Sequence, residues 1–189
     1  LLLMPAWQRG GFLGVKIVTV CPGNRRRTLP TLQGAYLLFD AGTGAPLLQT
    51  DAKTLTNWRT AAASALASRF LSRPGSKHLL LVGTGALAPF LARAHAAVRP
   101  LRRITVWGRN PLKARKVADQ LADLPAEMHT AENLAAAVEK ADIICCATLS
   151  PSPLIRGAWL RPGQHLDLVG SFKPDTREAD DEAIRRARV

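Results

Sequence analysis

The residues that bear most directly on chemistry are glycines and cations. In residues 79–90, LLLVGTGALAPF, an apolar run leads into Gly83-Thr84-Gly85-Ala86-Leu87-Ala88. This is the GxGxxA form of a dinucleotide-binding turn, set between a strand and a helix as that turn requires. Gly83 permits the tight turn, Gly85 lets a pyrophosphate approach the backbone, and Ala88 allows close packing of helix on strand. The helix that follows offers free N–H groups and partial positive charge to an anion. A glycine turn in any βα unit is the plainer reading of the same residues.

About twenty residues further on, a site for NAD carries Asp or Glu for the ribose hydroxyls. Here Trp107-Gly108-Arg109-Asn110 stands at that point, with Lys113 one helical turn away. No carboxylate is present to repel a 2′-phosphate. Arg109 can pair with one, and its guanidinium can stack on adenine. Asn110 can donate a hydrogen bond. The residues therefore favour NADPH, with NADH as the alternative; a solvated basic turn would also place arginine here.

Two further cations are expected to grip an anionic substrate. Lys16 interrupts the apolar run GVKIVTV (14–20). Such a lysine can also simply reach solvent. Arg59 follows Thr56, read as the N-cap of a helix, and so is expected in its first turn. A cation is disfavoured there by the helix dipole unless an anion binds as well. Lys16, Arg59 and the glycine turn together suggest an anionic substrate beside a nicotinamide.

The elements that must position these residues follow from periodicity. Residues 1–50 read as β-rich, with strands at 14–20 and 33–40, a basic loop between them and a tight AGTG turn at 41–44. An alanine- and leucine-rich helix spans 53–73 and is closed by Pro74-Gly75. Then apolar strands at 78–83, 103–108, 142–148 and 165–170 alternate with helices at 86–98, 111–124 and 131–141. Strands apolar throughout, alternating with helices, predict a parallel sheet covered on both faces. The fold class is thus α/β, a Rossmann-type sheet plus part of a β-rich domain. The expected division is 1–52, a connecting helix at 53–75, and 76–189.

Composition excludes several classes. Charged residues make up 21% and apolar ones 47%, which suits a globular domain rather than a disordered chain. The formal charge of +12 admits an anionic ligand or a nucleic acid. Arginines are dispersed, however, and aromatics are only 5%, too few to interleave stacking platforms with basic groups. No nucleic-acid partner is expected. No apolar run reaches membrane length. Cys21, Cys145 and Cys146 form no disulfide framework and no zinc-ligand spacing, so reduced thiols, a cytoplasmic setting and no metal are expected. The first residue is not Met, and DDEAIRRARV stops inside a helical pattern, so both ends read as interior to a longer chain.

GVKIVTVCPGN, LPTLQGAYLLFDAGTGAPL, TNWRTAAASALASRFLSR, VGTGALAPFLARAHAAVRPL, VWGRNPLKA and DLVGSFKPDTREAD, in this order, resemble the ornithine cyclodeaminase/mu-crystallin family. The resemblance covers nearly the whole chain and is greatest to its bacterial Δ1-pyrroline-2-carboxylate/Δ1-piperideine-2-carboxylate reductases. It implies a homodimer whose β-rich domain carries dimerisation and substrate binding, and reduction of a cyclic imino acid by NADPH to L-proline or L-pipecolate. It also implies roles. Lys16 and Arg59 hold the substrate carboxylate, and Arg59 and Thr31 contact the cofactor. Gly85, Ala86 and Leu87 form the pyrophosphate turn. Arg109 and Asn110 hold the 2′-phosphate, and Thr148 and Leu149 line the cofactor. True cyclodeaminases carry an aspartate where this chain has Phe172, and a phenyl ring cannot manage the proton of an amine. Asp175 lies beyond Pro174 and Asp167 within a strand. The alternatives implied are an NAD-recycling ornithine cyclodeaminase and an NADP(H)-binding protein without turnover.

Overall fold

The computed structural model describes residues 1–171 and 174–188. By its internal contacts the chain divides into two units, Leu1–Arg59 and Thr60–Val189.

The first unit is a four-stranded antiparallel meander in the order β1-β2-β3-β4. Its strands are β1 (Leu2–Trp7), β2 (Phe12–Val20), β3 (Leu32–Asp40) and β4 (Pro46–Asp51). β1 was not among the expected strands. It tolerates Pro5 because it lies at a sheet edge, where a missing N–H breaks no inner ladder. The turn after β3 is held by Asp40, whose Oδ1 accepts from the backbone N–H of Gly42 and Thr43 at 2.9 and 2.7 Å.

Helix α1 (Ala52–Leu71) starts four residues before Thr56. Its true cap is Asp51, whose carboxylate accepts from the N–H of Lys53 at 3.1 Å and Thr54 at 2.8 Å. The Thr56 hydroxyl is buried and has no hydrogen-bond partner among the described residues. Thr56 is therefore not the N-cap, and Arg59 lies in the helix body, about two turns from its start.

The second unit is a five-stranded parallel sheet in the order β7-β6-β5-β8-β9. These strands are β5 (His78–Val82), β6 (Arg103–Trp107), β7 (Glu127–Ala131), β8 (Ile143–Cys146) and β9 (His165–Leu168). Leu79, Leu80, Leu81 and Val82 are fully buried because β5 is central and covered on both faces. Leu79 and Leu81 pack with Leu91 and Ala92 of α2 (Ala88–Val98) and Val117 of α3 (Pro111–Asp119). Leu80 and Val82 pack on the other face with Val138 of α4 (Leu134–Lys140) and Ala183 of α5 (Asp181–Arg186).

Two helix boundaries differ from expectation by three residues or more. The helix expected at 111–124 ends at Asp119. The one expected at 131–141 starts at Leu134, capped by Asn133, and Ala131 belongs to β7. α1 is closed by more than Pro74-Gly75. The buried guanidinium of Arg99 donates to the carbonyls of Ser68, Arg69 and Ser72 at 2.7–2.8 Å, which meets the orphan acceptors of a helix end.

Candidate functional site

In the parallel unit the strand order reverses between β5 and β8, where open α/β sheets bind ligands beyond the carboxyl ends of their strands. The glycine turn lies there. Gly83 has φ +126°, and a Cβ on it would fall 2.5 Å from the Ala147 carbonyl oxygen. Only glycine permits that backbone and that approach. Gly108, after β6, is constrained by a side chain alone, since a Cβ would fall 2.6 Å from Thr84 Cγ2. Gly85 differs: a Cβ on it would meet nothing within 4 Å, and the residue is exposed. The turn thus presents open backbone where a ligand can approach. Ala86 is exposed and Leu87 half-buried. Ala88 is fully buried, and among the described residues no side chain caps the start of α2. This arrangement suits a pyrophosphate at free N–H groups.

At the end of β6, Arg109 and Asn110 are both exposed. Asn110 is the N-cap of α3, with its Oδ1 accepting from the Lys113 N–H at 3.2 Å. Its side-chain oxygen is thus engaged, while its amide N–H groups can still donate. Lys113 lies in the first turn of α3, so its ammonium and the helix start favour the same charge of ligand.

Thr148 and Leu149 follow β8. Leu149 is exposed, and Thr148 is half-buried and bound to a residue that the sequence did not single out, Glu178. Phe172 lies outside the described residues, and Asp175 is exposed.

In the antiparallel unit, Lys16 stands on β2 opposite Met4 and Tyr36. Burial lowers its pKa, and the positive charge of Arg59 lowers it further. The two cations are therefore near one another, an arrangement that an anion between them would relieve. Thr31 closes the basic loop before β3, its carbonyl accepting from the Cys21 N–H at 2.7 Å.

A buried polar cluster beneath the parallel sheet was also missed. Ser64 on α1 donates to the Asp167 carboxylate on β9, and Cys145 Sγ donates to it at 3.2 Å. His95 Nε2 lies 3.5 Å from the same oxygen and 3.2 Å from Ser64 Oγ. Burial pushes the Asp167 pKa up, but hydrogen bonds from His95, Ser64 and Cys145 and the charge of His95 outweigh it, leaving the pKa below its ordinary value. Among the described residues, His95, Cys145 and Asp167 form a group that could hold a metal ion, with ligand atoms within 4.8 Å of one another. Burial is the larger cause that drives the Cys145 pKa well up, and the Asp167 charge adds to it. Cys145 and Cys146 are free and buried, while Cys21 is free and exposed.

The model of the ornithine cyclodeaminase/mu-crystallin family matches residues 1–189. A Δ1-pyrroline-2-carboxylate reductase of Paracoccus denitrificans is 45% identical over 183 residues, covering 96% of this chain and 58% of that protein. The solved Thermococcus litoralis Δ1-pyrroline-2-carboxylate reductase, in complex with NADH and L-proline, is 32% identical with a TM-score of 0.86, covering 98% of this chain and 62% of that one. An archaeal alanine dehydrogenase dimer with bound NAD is 28% identical with a TM-score of 0.90, covering 98% and 57%. The chain thus spans about three fifths of the length of the relatives it matches.

Proposed function

Because the chain belongs to the ornithine cyclodeaminase/mu-crystallin family, we propose that it forms the dinucleotide-binding unit and part of the substrate unit of an NADPH-dependent ketimine reductase. Its substrate is a cyclic imine bearing a 2-carboxylate, Δ1-pyrroline-2-carboxylate or Δ1-piperideine-2-carboxylate, and its products are L-proline or L-pipecolate. The observation that carries this reading is the coupling of Lys16 to Arg59, two cations held near each other in a chain that also carries a dinucleotide turn. The names of the Paracoccus and Thermococcus relatives point to the same substrate class.

In this reading Lys16 and Arg59 bind the carboxylate and orient the ring. Orientation of two reactants is itself worth several kcal/mol. The exposed backbone at Gly85 and the start of α2 receive the pyrophosphate. Arg109, with Lys113 and the Asn110 amide, receives the 2′-phosphate, since no acid stands at the end of β6. Thr31, Ala86, Leu87, Thr148 and Leu149 line the cofactor. When bound, the reduced nicotinamide supplies hydride to the C=N carbon. An iminium protonated from water accepts it without a protein acid, so the chemistry assigns no proton transfer to Lys16 or Arg59.

The whole protein acts as a homodimer in a cytoplasmic setting. Leu2, Leu3, Met4 and Trp7, all exposed on the β1 edge, offer apolar surface to a second copy. No helix of the described residues is long and apolar enough to cross a membrane.

The test is NADPH oxidation by the full-length protein with each cyclic imine, coupled to detection of L-proline or L-pipecolate. Product equal to NADPH consumed supports the reading. No oxidation with either imine refutes it, and proline formed from ornithine without added reductant would install the cyclodeaminase alternative.

A further inference from the structure

Glu178 is fully buried, yet the proposed chemistry does not use it. Its Oε1 accepts hydrogen bonds from the Thr148 N–H at 2.6 Å and the Thr148 hydroxyl at 2.8 Å. Its Oε2 accepts from the Gly170 N–H at 2.7 Å. Its backbone carbonyl accepts from the N–H of Leu154 and Ile155, both at 2.9 Å. One side chain thereby joins the segments that follow β8 and β9, neighbouring parallel strands, at their carboxyl ends. The fit has no slack, since a Cβ on Gly170 would fall 2.7 Å from Glu178 Oε1.

Burying a carboxylate costs stability unless its oxygens are bonded. Here both are, and the three donors among the described residues come from segments bordering the crevice. A dinucleotide crosses such a crevice from one half of the sheet to the other. Gly83, Gly85 and Arg109 lie on the β5–β6 side, where the adenosine half belongs. Thr148 and Gly170 lie on the β8–β9 side, which leaves them the nicotinamide half.

We infer that Glu178 is a positioning residue that, without touching the ligand, holds the Thr148 and Gly170 backbones in the shape that receives the nicotinamide half of the cofactor. The inference rests on the reading of the crevice as a dinucleotide site. It also separates the two halves of that site, which gives it a distinct signature.

In the full-length protein, Glu178→Gln keeps the size of the side chain but sets an NH2 donor against an N–H donor, so at least one of the three bonds is lost. Affinity is measured for NADPH and for 2′-phospho-ADP-ribose, which lacks the nicotinamide, together with kcat and KM. The expected result is a loss of about tenfold or more in NADPH affinity or kcat, with the fragment bound as by wild type. Equal weakening of fragment and NADPH would indicate a general structural role and overturn the inference, as would no change in either. Should the variant not fold, amide hydrogen exchange on the ligand-free wild type decides. Protected Thr148 and Gly170 amides support the inference, and exchange at the rate of open loop amides overturns it. A wild type that binds neither ligand removes the dinucleotide reading and this inference together. A wild type that binds both, with Glu178→Gln unaltered, removes the inference alone.

Discussion

Lys16 on β2 feels the charge of Arg59 on α1: burial is the larger cause of its lowered pKa, and the arginine adds to it. Lysine binds a carboxylate only when protonated, and both influences favour the neutral form. Substrate affinity should therefore fall as pH rises through the lowered pKa of Lys16, earlier than for an ordinary lysine. The alkaline limb of a kcat/KM profile reads this, and Lys16→Arg should move that limb upward. Lys16→Met should raise KM for the imino acid about ten- to hundredfold, the loss of one or two hydrogen bonds to a charged group. NADPH affinity should stay as it was. An unchanged KM would show that Lys16 only reaches solvent.

Arg109 is exposed after β6 with no acid beside it in the Gly108-Arg109-Asn110 turn. Arg109→Asp should weaken NADPH by about ten- to hundredfold by removing a charge-assisted pair and adding repulsion. NADH should be affected far less, because it lacks the 2′-phosphate, and the new carboxylate can accept from its ribose hydroxyls. The ratio of kcat/KM for the two cofactors is the measurement. An unaltered ratio would assign phosphate recognition to Lys113 or another group.

Asp167 has a lowered pKa in the folded state, so its contribution to stability is present above the unfolded value of roughly 3.9. That contribution is lost as pH falls through the lower folded pKa. Asp167→Asn removes the charge that Ser64, Cys145 and His95 share, and should cost about 1.5–3 kcal/mol at neutral pH. Thermal unfolding at neutral pH and again in acid checks both the size and the sign. The gap between wild type and variant should narrow in acid. A gap independent of pH would mean that the carboxylate's charge is not what the cluster uses.

Much of this was legible in the sequence because it is local. β5, the glycine turn and α2 are contiguous, and the run Leu79–Val82 declares a strand buried on both faces. The errors have physical causes too. Arg59 was misplaced because Asp51, the last residue of β4, also caps α1, a double role that a helix-start pattern read at Thr56 does not reveal. β7 was missed because, as an edge strand, it exposes Glu127, His129 and Thr130 and has no apolar run to announce it. The Asp167 cluster had no local signal at all. Ser64 and Asp167 are 103 residues apart in sequence, and Glu178 is 30 from Thr148. Only the packing of α1, α2, β8 and β9 makes such residues neighbours.

Gly83 and Gly85 belong to one motif, but the structure gives them opposite reasons for being glycine. At Gly83 the reason is internal: φ is +126° and the Ala147 carbonyl occupies the space of a Cβ. Gly83→Ala should therefore destabilise the ligand-free protein by about 1–3 kcal/mol, the cost of a strained backbone. At Gly85 a Cβ would meet none of the described residues within 4 Å and the position is exposed, so Gly85→Val should leave ligand-free stability within about 0.5 kcal/mol of wild type. Its cost should appear only when a pyrophosphate has to approach the backbone, as a loss of NADPH affinity of about tenfold or more. Thermal midpoints of both variants with and without NADPH separate the two effects, because a ligand that binds only the folded state raises the midpoint by an amount that grows with the logarithm of its concentration over Kd. Gly83→Ala should lower the ligand-free midpoint. Gly85→Val should keep that midpoint and lose the shift caused by NADPH. A Gly85→Val protein that NADPH stabilises as much as wild type would mean that the open space at Gly85 is not where the phosphates lie, and the site would have to be sought elsewhere along the β5–β8 crevice.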